Sequence, residues 1–146
     1  LARQWADHLA EEEPKLTVLQ VGGDASASQW RGDLADYTRA AQVPQRRVVL
    51  AVVNSAASTD FIKRAQVDEH TLLVADEVHR VGAPHFRSVL GLAAGGRLGL
   101  SATPERFGDP EGTAAVFDYF GPRLEPAFTI RDAQQSDPRP RLDAAS

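Results

Sequence analysis

The chain has 146 residues, of which 42% are hydrophobic and 25% are charged, and its formal net charge is −4 at pH 7. This length and balance are typical of one globular domain with a sizeable core. The lack of cysteine excludes disulfides, thiolate catalysis and cysteine-ligated zinc, and the net acidity weighs against a stand-alone nucleic-acid-binding module, which usually carries a basic field.

The sequence also predicts where the protein works. Its apolar runs are too short to cross a bilayer, and its first residues lack a signal-peptide pattern, so we expect no membrane partner and a cytoplasmic location. The chain contains no methionine and begins at Leu1. We therefore expect it to be a piece of a longer protein.

Hydrophobic periodicity predicts alternating helices and strands. Trp5 is predicted to lie in the core, and Ser28 and Ser58 are predicted N-caps. The apolar runs at 48–53 and 72–75 lack a helical period and predict strands buried on both faces. In chain order we predict helix 1–13, strand 15–21, helix 28–41, strand 48–53, helix 58–65, strand 72–75, helix 84–94 ended by a glycine pair, strand 97–100 and helix 114–120.

The first predicted strand is followed by Gly22 and Gly23, where a nucleotide-binding protein could place a phosphate-binding loop. Such a loop needs Gly-Lys-Ser/Thr, so that a lysine meets the phosphates and a hydroxyl meets Mg²⁺. Here Asp24 follows, and the two lysines of the chain, Lys15 and Lys63, are not in such a setting. The glycine pair therefore predicts a turn, and the chain has no Walker A lysine.

Two adjacent carboxylates, Asp76 and Glu77, follow the strand at 72–75. They cannot extend a buried strand, because burying unpaired charge costs more than burial of its neighbours gains. We expect them at the carboxyl end of the strand, where open α/β sheets bind ligands. An apolar strand that delivers Asp and then Glu predicts a Walker B site, in which Asp76 holds Mg²⁺, directly or through water, and Glu77 orients the attacking water. The alternative is an ordinary solvated turn.

A second motif completes a family pattern. The Asp-Glu-Val-His run at 76–79, followed by Leu-Gly-Leu-Ser-Ala-Thr-Pro-Glu-Arg at 98–106, resembles motifs II and III of superfamily 2 helicases. It is most similar to the DEAH-type branch that contains XPB-like proteins and type III restriction subunits. The resemblance implies an α/β fold with a mainly parallel sheet flanked by helices, an incomplete RecA-like domain without its Walker A portion. We assign 1–135 to this domain and 136–146 to a linker or disordered tail.

The same resemblance implies roles for further residues. His79 would link the nucleotide state to the strand that carries Ser101 and Thr103, whose hydroxyls would couple hydrolysis to movement of the nucleic acid. A structural histidine and turn-capping hydroxyls are the alternatives. Asn54 and Ser55 follow the strand that leads into motif Ib, where only Ser55 matches the family pattern. Both are candidates for nucleic-acid binding, with plain loop residues as the alternative.

Two arginines near these motifs, Arg80 and Arg106, are predicted to be surface or ion-pair residues rather than catalytic ones. The motifs predict a fragment of an ATP-dependent DNA or RNA helicase or translocase, with ATP as substrate, Mg²⁺ as cofactor, and DNA favoured by the branch that is resembled. Its partners would be the rest of the first RecA-like domain and a second RecA-like domain. Because a Walker A lysine and an arginine finger are both missing, we expect the isolated chain neither to hydrolyse ATP nor to unwind a duplex.

Two other functions are weighed against this one. The first is a non-catalytic nucleic-acid-binding or scaffold domain with a degenerate nucleotide site. The second is a Mg²⁺-dependent nuclease that uses Asp76, Glu77 and Asp109, although it lacks the third well-placed acid and the lysine that such sites usually show.

Overall fold

Helices and strands alternate through the computed structural model, which describes residues 2–23, 25, 27–40 and 46–124. The predicted tail at 136–146, the domain boundary at 135 and the predicted helix end at Ala41 lie outside these residues. None of the helices in the described ranges is both long and apolar enough to span a membrane. The elements are α1 (Ala2–Glu12), β1 (Thr17–Val21), α2 (Ala27–Thr38), β2 (Arg47–Ala51), α3 (Val53–Ala56), α4 (Thr59–Arg64), β3 (Leu72–Asp76), two 3₁₀ helices (Val78–Gly82 and Arg87–Gly91), β4 (Gly96–Leu100) and α5 (Pro110–Phe120).

The four strands of the described region all pair in parallel. β1 pairs with β2, and β3 pairs with β4 in a register that places Asp76 opposite Leu100. Parallel neighbours require a crossover segment, which contains α2 in the first pair and the two 3₁₀ helices in the second. The predicted α/β fold with parallel strands and flanking helices is confirmed. Within the described residues the strands form two two-stranded sheets rather than one continuous sheet.

The core is centred on α2. Leu34 has no exposed surface, and Val21 of β1 is 1% exposed. Trp30 packs against Phe61 of α4, with ring centroids 6.3 Å apart. The same cluster of buried residues continues toward the 3₁₀ helices and α5 through Val78, Val81, Val89 and Val116.

The segment at 84–94 differs from its prediction, because it forms a turn and a 3₁₀ helix instead of an α-helix. The backbone bonds are those of turns and of 3₁₀ structure, because the amides of Phe86 and Val89 donate three residues back, to Ala83 and Phe86. The side chain of Ser88 also donates to the distant carbonyl of Ala57, which ties this segment to the start of α4. The glycine pair does not end a helix either, since Gly96 begins β4.

Helix starts were predicted with mixed success. Ser58 caps α4 as predicted, with its Oγ accepting the amide N–H of Phe61 at 3.2 Å. The N-cap prediction for Ser28 is wrong, because α2 already includes it. α5 begins at Pro110, earlier than predicted, since the Asp109 carboxylate accepts the N–H of Gly112 at 2.8 Å and so caps the helix.

The prediction that β3 is buried on both faces is wrong. Side chains alternate between the faces of a strand, and only the face that carries Leu73 and Ala75 packs against the core. Leu72 and Val74 on the other face are 66% and 49% exposed, and Leu98 and Leu100 of β4 beside them are each 37% exposed. β2 is half-buried throughout. Trp5 is 41% exposed, so the prediction that it belongs to the core is also wrong.

Candidate active site

The two predicted acids lie where the sequence pattern placed them. Asp76 is the last residue of β3 and Glu77 follows it, and both side chains are exposed to solvent. Ser101 comes directly after Leu100, the residue of β4 that pairs with Asp76. The ends of β3 and β4 therefore bring the carboxylates and the hydroxyl to one edge of the sheet.

Glu77 has an unusual backbone. Its φ of 51° and ψ of 53° place it in the left-handed region, and it is the one residue other than glycine with positive φ in the described part of the chain. This conformation costs about 1–3 kcal/mol for a residue with a Cβ, and such residues cluster at functional sites. The amide N–H of Glu77 donates to Oδ1 of Asp76 at 2.9 Å, which orients the Asp76 carboxylate at the end of the strand.

His79, the last residue of the first motif, contacts the second motif. Its Nδ1 is 3.1 Å from Oγ of Ser101 and 3.4 Å from Oε2 of Glu77. The Ser101 hydroxyl also accepts the amide N–H of Thr103 at 3.2 Å, so it caps the turn and binds the imidazole at the same time. Thr103 enters this network through its backbone, and its side chain is exposed. Five predicted site residues are thus brought together.

Arg106 binds the backbone of His79 and the side chain of Asp109. Its NH1 donates to the backbone carbonyl of His79 and its Nε donates to Oδ2 of Asp109, both at 2.7 Å. The hydrogen bond from Arg106, together with that from the Gly112 N–H, holds the pKa of Asp109 below its usual value. The predicted ion-pair role of Arg106 is confirmed, and the contact with His79 was missed, because an arginine-to-carbonyl contact across 27 residues leaves no trace in sequence spacing.

These contacts also bear on the nuclease alternative. The carboxylate of Asp109 already binds Arg106 and the N–H of Gly112. The described residues contain no group of three or more His, Asp or Glu side chains able to hold a metal ion. A metal-dependent nuclease built on Asp76, Glu77 and Asp109 is therefore not supported.

The donor set does fit a magnesium ion that accompanies a phosphate ligand. Mg²⁺ keeps several waters and is usually held by one or two carboxylates together with substrate phosphates, rather than by an all-protein cage. Asp76 offers one such carboxylate at an open strand end, oriented by the Glu77 amide.

Asn54 and Ser55 lie apart from these residues, beside a cavity of about 450 Å³ at the carboxyl end of β1 and β2. Gly22 borders the same cavity, and its φ is 83°. A Cβ on Gly22 would stand 2.2 Å from Oγ of Ser55, so only glycine fits there. Arg31 and Asp60 form an ion pair of 2.7 Å at the rim. Both predicted residues therefore line an open depression of mixed polar and apolar character.

Comparison with known proteins adds a family. The family model described as type III restriction enzyme, res subunit, matches residues 1–106. The chain is 31% identical over 118 residues to "Putative DNA 3'-5' helicase Rad25" of Haloarcula marismortui, a match that covers 74% of this chain and 19% of that protein. It is 32% identical over 122 residues to "DNA 3'-5' helicase XPB" of Kineococcus radiotolerans, covering 73% of this chain and 22% of that protein. The chain thus spans about a fifth of the length of these curated relatives. No solved structure matches it.

Proposed function

Because this chain belongs to the type III restriction enzyme res subunit family, among the XPB-like superfamily 2 helicases, we propose that it carries part of the ATP-hydrolysis site of a DNA helicase or translocase. Its parallel α/β fold is part of a RecA-like domain. The single observation that carries the proposal is the contact between the two motifs, in which Nδ1 of His79 lies 3.1 Å from Oγ of Ser101 at the strand ends.

Each residue of the site has a chemical role in this proposal. Asp76 holds Mg²⁺, which when bound neutralises charge on the phosphate oxygens. Glu77 projects an exposed carboxylate beside it, and this group orients the attacking water and accepts its proton. His79 and Ser101 join the water-activating side of the site to the segment that contains Thr103, so that the nucleotide state is transmitted to the residues that follow β4.

We assign nucleic-acid binding to the cavity beside β1 and β2. The amide of Asn54 and the hydroxyl of Ser55 can donate to phosphate oxygens, which position a strand without reading its sequence. Such contacts suit a chain with a net charge of −4, because they need local donors rather than a basic field. DNA is the proposed substrate, since the two relatives are named as DNA helicases.

The apolar face of β3 and β4 supports the proposed partners. Leu72, Val74, Leu98 and Leu100 form a contiguous surface that the described residues leave exposed. Large exposed apolar surfaces usually mark contacts with another domain or another protein. We propose that the rest of the first RecA-like domain covers this surface, and that a second RecA-like domain supplies the arginine finger.

The test is ATP hydrolysis by the longer helicase of which we propose this chain to be a part (below, the longer protein) and by the 146-residue chain, each with and without DNA. We expect DNA-stimulated turnover in the longer protein and none in the isolated chain, which lacks the Walker A lysine. Sustained turnover by the isolated chain that disappears in Glu77→Gln would contradict the incomplete site. DNA binding without any turnover in the longer protein would favour the non-catalytic scaffold, as would the lack of an upstream Gly-Lys-Ser/Thr.

The nucleic-acid surface has its own test. We expect Asn54→Ala to weaken binding of single-stranded DNA by the longer protein about tenfold, because a hydrogen bond to a charged group is lost. Gln66→Ala is the matched control, since it removes an exposed side-chain amide away from the cavity. The measurement is fluorescence anisotropy at several salt concentrations. Equal affinity of both variants and the unmodified protein would remove Asn54 from the interface.

A further inference from the structure

The first 3₁₀ helix, which carries His79, is held at both ends by arginines. Arg106 donates through NH1 to the carbonyl of His79 at 2.7 Å, near the start of this helix. Arg87 donates through Nε to the carbonyl of Gly82 at 2.8 Å, at its last residue. The backbone that positions the imidazole is therefore fixed by side chains from two other segments of the chain.

Both arginines converge on one carboxylate. Arg106 binds Oδ2 of Asp109 through Nε at 2.7 Å, and NH2 of Arg87 lies 3.6 Å from Oδ1 of the same residue. Asp109 and Arg106 are partly buried, at 25% and 22% side-chain exposure. An ion pair this shielded is less weakened by solvent than a surface pair.

The first 3₁₀ helix and the start of α5 pack closely against each other beside this carboxylate. A Cβ on Gly82 would stand 2.5 Å from the carbonyl oxygen of Gly112 and 2.8 Å from Cδ of Arg106. A Cβ on Gly112 would stand 2.3 Å from Oδ2 of Asp109. The 3₁₀ helix thus packs directly against the first turn of α5. A shift of either element would therefore displace the other.

We propose that Asp109 is a positioning residue for the ATP-hydrolysis site: through Arg106 and Arg87 it fixes the 3₁₀ helix so that the His79 ring stays between Glu77 and Ser101. Capping α5 needs only Oδ1 of Asp109, which accepts the Gly112 N–H. Its second oxygen binds Arg106 and serves the site instead. The structural part of this inference stands on the contacts alone, and its effect on catalysis rests on the proposed function.

Two substitutions separate positioning from capping. Asp109→Asn keeps the size of the side chain and the capping oxygen, since Asn is as good an N-cap as Asp. It removes the negative charge that attracts Arg106 and Arg87. Arg106→Lys keeps the charge, yet a single ammonium cannot reproduce the fork that reaches both Asp109 and His79. Arg123→Lys is the control, because Arg123 pairs with Glu105 at 2.7 Å in an exposed ion pair of the neighbouring segment.

The first readout is NMR spectroscopy of the 146-residue chain. In Asp109→Asn and Arg106→Lys we expect the signals of Glu77, the His79 imidazole and Ser101 to shift, while the amides of α5 keep their helical shifts. Arg123→Lys should leave all of them unchanged. Unchanged His79 and Ser101 signals in both variants would overturn the proposal, and so would unfolding of both variants, which would make the pair a purely structural one.

The second readout is ATP turnover in the longer protein. We expect both variants to lower kcat about 10- to 100-fold, the effect of a reacting group displaced by about 1 Å, with little change in KM for ATP. A rise in KM at constant kcat would assign the pair to ATP binding and overturn the positioning role. If the unmodified protein hydrolyses no ATP, the proposed function fails, while the NMR result still decides the contact between Asp109 and the His79 helix.

Discussion

Glu77→Gln is expected to lower the ATP turnover of the longer protein by about 10²- to 10⁴-fold, the contribution of a positioned general base. The amide has the same size and leaves the backbone N–H of Glu77 free to donate to Asp76 as before. It cannot accept a proton from the attacking water, however. ATP affinity should therefore be retained, because Asp76, the proposed metal ligand, is unchanged.

The measurement is single-turnover hydrolysis of ATP, with ATP binding followed separately by equilibrium titration. Glu105→Gln serves as the control, since Glu105 is an exposed carboxylate of the adjacent segment that pairs with Arg123. We expect it to keep turnover close to that of the unmodified protein. A Glu77→Gln protein with full turnover would show that another group activates the water.

Leu34→Ala is expected to lower the free energy of unfolding by about 2–5 kcal/mol, the range for deleting a fully buried leucine. Leu34 has no exposed surface, and α2 packs against β1, β2 and α4 around it. The backbone around Leu34 is held in place by two hydrogen bonds of 2.8 Å each. The Thr38 hydroxyl donates to the Leu34 carbonyl and accepts the amide N–H of Gln66. The neighbours therefore cannot collapse easily into the space.

Urea denaturation of the 146-residue chain, followed by circular dichroism, measures this effect. Asp33→Ala is the matched control, because Asp33 is the exposed neighbour of Leu34 on α2. Surface substitutions of this kind usually change stability by less than about 0.5 kcal/mol. A Leu34→Ala effect as small as that of the control would mean that α2 does not form the centre of the core.

The strands and the acid pair could be predicted from the sequence, because both follow from local rules. A short apolar run without a helical period forms a strand, and two adjacent carboxylates must leave the core where it ends. Asp76 and Glu77 accordingly lie at the end of β3. The proximity of His79 to Ser101 followed from the motif resemblance, since the carboxyl ends of paired parallel strands meet at one edge.

Other features depend on contacts between distant segments and could not be predicted in this way. The period at 84–94 indicated an α-helix, but the segment forms turn and 3₁₀ structure, in which the Ser88 side chain binds the distant carbonyl of Ala57. The apolar pattern of β3 indicated burial on both faces, whereas the described residues cover only one of them. The fork of Arg106 depends on the folded positions of His79 and Asp109.

The left-handed backbone of Glu77 means that the residue best suited to the proposed chemistry is not the one that would be most stable there. Asn adopts this conformation more readily than Glu, so exchanging Glu77 for Asn would relieve strain while it shortens the side chain and removes the acid. A screen that rewards heat resistance alone would therefore favour variants that have given up catalysis. At this position the proposed chemistry and the local backbone energy therefore favour different residues.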